Sequence, residues 1–209
     1  MSRPSDVRLL VLHGLRLKGF APVDDVAAIV EVPLEEVNRH LEDFRAAELV
    51  LYRDGRLTGW ALTPAGRSEH ERLLAQELRA NGCRATVESA YRRFLALNPD
   101  LLTVCTAWQM KDEATMNAHD DEDYDRGVIE QLGDLHSRVE PALHDLEAEF
   151  LRYRVYRPRF ANALDRVRRG ERDWFAKPMI DSYHTVWFQL HEDLLNTLGI
   201  ERSKEVTHS

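Results

Sequence analysis

The chain has 209 residues, 44% apolar and 31% charged, a balance that suits one large or two small globular domains and excludes an intrinsically disordered protein. Its formal net charge of -8 argues against attraction of nucleic acid by the whole surface, so only a local basic face can serve that role. Cys83 and Cys105 match no metal or redox spacing, the N-terminus carries no signal-like apolar region, and no run approaches the roughly 18 apolar residues of a membrane span, so a cytoplasmic protein with no membrane partner is expected.

The first helix is expected to start at Ser5 and Asp6, both good N-cap types, and to stop at Gly19, with Leu9, Leu10, Leu12 and Leu17 on a broad apolar face. A short second helix starts near Val23, with Asp24 and Asp25 in the first turn where the helix dipole favours negative charge. Val32 and Pro33 mark a turn. A third helix over about 33–47 places Leu34, Val37, Leu41 and Phe44 on one continuous stripe facing inward. Residues 49–62 read as two short strands around Asp54-Gly55, the signature of a tight type I′ hairpin. Thr63 then caps a fourth helix that has Pro64 in its first position.

Helix, short helix, turn, helix, hairpin, helix is the order of a winged helix-turn-helix. The run Val37, Leu41, Phe44, Glu48-Leu49-Val50, followed by the hairpin and Trp60-Ala61-Leu62-Thr63-Pro64-Ala65-Gly66, resembles the MarR-type transcriptional regulators over about residues 5–80. The resemblance implies that the third helix enters the DNA major groove. Asn38 and Arg39 would then read base edges, with Arg45 on the same helix and Arg53 and Arg56 of the wing on the DNA backbone or minor groove. It also implies a homodimer on a pseudo-palindromic site. Glu35, Glu36, Glu42 and Asp43 lie on that same helix and oppose phosphate.

Residues 67–200 read as helical throughout. Breaks are expected at Asn81-Gly82 and Asn98-Pro99, the acidic run at 119–125 forms a connection or a helix start, and Pro141 kinks or breaks the helix that follows. A short helix ends at Gly170, and a last one runs from about residue 177 to Leu198, closed by Gly199. The expected fold is therefore mainly α: an N-terminal winged helix-turn-helix with a small β-hairpin wing over 5–80, a C-terminal α-helical bundle for effector binding and dimerisation over 81–200, and a polar tail over 201–209.

Eight arginines fall between 152 and 172, interleaved with Tyr153, Tyr156 and Phe160. Such a run is either a surface for anions or nucleic acid, or a solvated face paired with the acids at 120–125 and 145–149. Trp174, Tyr183, His184, Trp187 and His191, together with Trp108 and Arg154, suggest a pocket for a small anionic or aromatic effector. The same residues also suit a bundle core with hydrogen-bonded histidines. His136, His144, His184 and His191 are spaced too widely for one compact metal site, so no metal or cofactor is expected. No phosphate-binding loop, dinucleotide fingerprint or nucleophile elbow occurs. The expectation is a regulator rather than an enzyme. The alternatives are an adaptor whose winged helix does not bind DNA and, less favoured, an enzyme using Asp181, Tyr183 and His184 for proton transfer.

Overall fold

In the computed structural model, which describes residues 2–202, Asp6 caps helix α1 (Val7–Lys18) by accepting the Arg8 N–H at 2.7 Å, and Gly19 ends it at φ 75°. Helix α2 (Val23–Val30) and helix α3 (Leu34–Ala46) follow. Strands β1 (Val50–Arg53) and β2 (Gly59–Leu62) pair antiparallel, with Val50 opposite Leu62 and Arg53 opposite Gly59. Helix α4 (Pro64–Asn81) starts where the Thr63 hydroxyl oxygen accepts the Gly66 N–H at 3.0 Å, and Gly82 closes it at φ 64°. Between α1 and α2, Ala21 exchanges both backbone hydrogen bonds with Trp60, at 3.0 and 2.8 Å, so β2 is bonded along both edges. The core beneath is built from Leu12 and Leu15 of α1, Val26 of α2, Val37, Leu41 and Phe44 of α3, and Trp60 of β2.

Two local expectations are corrected here. Leu34 is 44% exposed; as the first residue of α3 it precedes the turn that meets the core, so the buried stripe begins at Val37. The hairpin connection spans residues 54–58 rather than two residues, and Gly55 is not among the glycines with positive φ. The bare backbone is needed instead at Gly59, where a Cβ would lie 2.7 Å from the Ala21 carbonyl oxygen. That close approach excludes a side chain at position 59, and Asp54 closes the longer loop by accepting from the Thr58 hydroxyl at 3.3 Å.

The chain divides into two compact units. The first joins the residues up to Arg84 with Glu149–Val155 and with Glu192 onward; the second comprises Ala85–Ala148 and Tyr156–His191. This corrects the contiguous division at residue 80. The segment Leu151–Val155, a 3-10 turn, and the end of the last helix pack with the N-terminal elements. The polar tail expected at 201–209 lies outside the described residues from 203 on.

The second unit takes helix α5 (Arg84–Leu95) from Ala85, helix α6 (Asn98–Gln109), helix α7 (Glu122–Glu149) to Ala148, helix α8 (Tyr156–Arg168), the single turn α9 (Asp173–Ala176), and helix α10 (Tyr183–Leu198) as far as His191. Helix α7 runs unbroken for 28 residues with Pro141 inside it. The proline is exposed, so its lost N–H and its ring fall on the solvent side, where a helix can bend away. Helix α10 starts at Tyr183, later than the expected 177, because buried Ser182 supplies the cap: its hydroxyl accepts the Thr185 N–H at 3.3 Å.

Candidate functional site

The outward face of α3 carries Asn38, Arg39 and Arg45, all exposed, while Val37, Leu41 and Phe44 hold the helix to the core. Arg39 lies 3.4 Å from Glu36, and Arg45 lies 3.7 Å from Glu42. Both are solvent-exposed pairs one helical turn apart, each worth under about 1 kcal/mol. They release their arginines cheaply, but the carboxylates remain on the surface beside any phosphate.

The hairpin differs. Arg53 ends β1 and Arg56 sits in the 54–58 loop; both are exposed, and neither has a side-chain partner among the described residues. Leu57 beside them is 75% exposed. Tyr52 packs across the strands on Trp60 at 4.9 Å, which stiffens the base of the hairpin. The sequence thus places Asn38, Arg39 and Arg45 on one helix face and Arg53 and Arg56 on a projecting loop of the same unit.

The expected effector residues are divided between the two units. Arg154 belongs to the first unit and pairs with Glu31 at 2.8 Å; the other six lie in the second. Trp108 stacks face to face on Phe175, with ring centres 4.3 Å apart, and packs on His119. Trp174 lies under the Arg166 guanidinium at 4.2 Å. Tyr183 is fully buried between Phe160, Trp187 and His136, and burial raises its phenol well above the usual range. Trp187 donates its indole N–H to Asn98 at 2.7 Å. His191 is buried against Tyr91 and Phe94, whereas His184 is exposed. Tyr183, Trp187 and His191 are core packing, each satisfied or enclosed.

The arginine run is mostly consumed by ion pairs, with Glu147 from the expected stretch 145–149 and with acids outside the expected stretches. Arg157 meets Glu140 and Glu147, Arg159 grips Asp181 through two bonds of 2.9 Å, and Arg166 meets Glu171. Arg168 and Arg169 have no side-chain partner among the described residues.

Arg152 leads to a group that the sequence reading missed. It is buried in the first unit, 3.3 Å from Glu77 of α4 and 3.1 Å from Asp193 of α10, and donates to Thr197 at 3.1 Å. Burial opposes its charge, yet Tyr153, Asp193 and Glu77 more than offset that, so it stays protonated. Asp193 Oδ2 also lies 3.1 Å from His13 Nε2, off the line of a hydrogen bond, and His13 Nδ1 is 3.0 Å from His70 Nε2. A proton on Nε2 of each ring gives the consistent arrangement: His70 donates to His13, and His13 faces the carboxylate. His70 Nδ1 is then a buried acceptor without a partner among the described residues. Burial, then the neighbouring His13, pushes His70 down to about 2. The one sequence signal for this network was a histidine on the apolar face of α1.

Among the described residues no group of three or more His, Cys, Asp or Glu side chains is arranged to hold a metal ion. Cys105 is buried, and its thiol is pushed up to about 11, which leaves it unreactive as a nucleophile. No family model, no curated protein and no solved structure matches this chain.

Proposed function

We propose that the chain is a MarR-like winged helix-turn-helix transcriptional regulator that binds DNA through α3 and the β1–β2 hairpin. The observation that carries the reading is the pair of exposed arginines, Arg53 and Arg56, without side-chain partners among the described residues, on a hairpin that follows three helices and is joined at Trp60 to the α1–α2 connection. In this reading α3 enters the major groove with Asn38 and Arg39, and the wing supplies phosphate contacts. The α3 acids lower the electrostatic share of affinity, so binding rests more on the wing than on the helix. A homodimer presents two such units to a pseudo-palindromic site. A small-molecule effector then favours the dimer arrangement whose helices are misplaced for DNA.

The test is fluorescence anisotropy with DNA from upstream of the protein's own coding sequence, titrated with salt. Arg53→Ala with Arg56→Ala is expected to reduce the slope of log affinity against log salt by about 2, since each lost phosphate contact removes about one unit. Absence of binding at low salt overturns the reading. A specific observation favours a second one: with four acids on α3 and Arg39 and Arg45 already paired to two of them, the same surface suits a protein partner, making the chain an adaptor. Capture of a basic protein surface without DNA binding would select that alternative.

A further inference from the structure

In the second unit, the connection between α6 and α7 holds one histidine in an uncommon setting. His119 has φ 56°, a left-handed conformation sparsely populated by residues with a Cβ. Its neighbours impose it. The side-chain oxygen of buried Asn117 accepts the His119 N–H at 3.0 Å, and Arg172 donates to the His119 carbonyl at 2.8 Å. Trp108 packs against the imidazole, with ring centres 4.4 Å apart. Buried Asp125, in the first turn of α7, holds the ring itself: Nδ1 lies 3.0 and 2.9 Å from its two carboxylate oxygens.

The surrounding donors fix the tautomer. Both hydrogens of the Asn117 amide are engaged, one with the Trp108 carbonyl at 3.2 Å and one with Asp125 Oδ1 at 2.8 Å. Nδ1 of His119 therefore carries the proton that meets the carboxylate, and Nε2 carries a lone pair. Nε2 is not a buried atom and has no partner among the described residues. Other histidines lack one half of this arrangement. His13 also faces a carboxylate but is enclosed, whereas His144 and His184 are exposed with no carboxylate beside them among the described residues.

A carboxylate on the far nitrogen makes an imidazole a better nucleophile at the near one, because it balances the positive charge that develops on attack. We infer that His119 is a phosphoryl acceptor, modified at Nε2 by a small acyl phosphate. Nε2 attacks phosphorus; the N–P bond forms as the P–O bond to the acyl group breaks, and the carboxylate leaves with the bonding pair. No base is required, since Nε2 holds no proton, and the Nδ1 proton stays with the ring, facing Asp125. Arg172 and the N-terminal end of α7 present positive potential to the phosphoryl oxygens. Two of the nearby acids are already neutralised: Asp120 pairs with Lys111 at 2.9 Å, and Asp123 pairs with Arg126. The site stands independently of DNA binding. The competing account makes His119 and Asp125 a clasp that fixes the connection onto α7 and nothing more.

Phosphorylation of the full chain by acetyl phosphate, read by intact mass and peptide mapping, separates these accounts. Phosphohistidine is lost in acid and survives alkali, whereas an aspartyl phosphate is lost in both. His119 is expected to react about tenfold or more faster than His144, the exposed reference within the same chain. Asp125→Asn keeps an acceptor for the Nδ1 proton but removes its charge, and is expected to bring His119 down to about the His144 rate. His119→Gln is expected to lose the main alkali-stable signal, with melting curves checking that both variants fold. Absence of phosphohistidine at position 119 overturns the proposal, as does a rate there no greater than at His144. So does a folded Asp125→Asn variant that is modified at His119 as fast as the parent.

Discussion

Acid should weaken the first unit through His70. The ring is fully buried, with burial and then His13 holding its proton affinity down to about 2 from an ordinary 6.5. An unfolded chain therefore takes up a proton near pH 6.5 that the folded chain refuses. The stability that this group confers is complete above that pH and falls as the pH drops toward the folded value. Over the window from pH 7 to pH 5 the linkage relation gives a loss of about 2 kcal/mol, close to 1.4 kcal/mol per pH unit once below 6.5. His70→Leu removes the titrating group, so the variant should lose about 2 kcal/mol less than the parent over the same window. It should start from a lower value at pH 7, since His13 loses its ring partner. Trp60 lies in the first unit, and Trp108, Trp174 and Trp187 lie in the second. Urea titrations of fluorotryptophan-labelled protein, followed through the Trp60 resonance at pH 7 and pH 5, therefore report the right unit. Equal pH dependence in parent and variant would refute the reasoning, because His70 would then be free to protonate in place.

Two further substitutions test the packing. Gly66→Ala puts a Cβ 1.9 Å from the Leu49 carbonyl oxygen, which also accepts from the Thr63 backbone and hydroxyl; the first turn of α4 must move off β1, at a cost of about 3 kcal/mol, read as a lower urea midpoint at the Trp60 resonance. Pro141→Ala restores a backbone donor inside α7 and removes the clash with the carbonyl one turn earlier. It should stabilise the second unit by about 2 kcal/mol by calorimetry, and an unchanged or lower transition would show that α7 accommodates the proline without cost.

The elements were legible where the signal is local. Asp6 and Thr63 cap helices because a short polar side chain reaches a free N–H two or three residues on, whatever the rest of the chain does. Gly82 and Gly170 close helices because each adopts positive φ without a Cβ penalty. The stripe of Val37, Leu41 and Phe44 follows from helical periodicity alone. The aromatic residues of α10 were recognisable as special, but whether Tyr183 and Trp187 line a space or fill one depends on Phe160 and Phe94, which come from other helices.

The sequence by itself determined the order of helices and hairpin, the caps that bound several of them, and the exposed arginines at the hairpin's end. Each of these depends on neighbours within one or two turns. Tertiary structure alone decided that Arg152, read as part of a solvated basic run, is instead buried with Asp193 and Glu77, and that His13 meets His70. It likewise decided that Gly59 rather than Gly55 is the hairpin position that must lack a side chain, because of the carbonyl of Ala21. Those partners are tens of residues apart along the chain. A charge run or a lone histidine carries no record of which distant group will neutralise it, and only packing of the helices brings the opposite charge within reach.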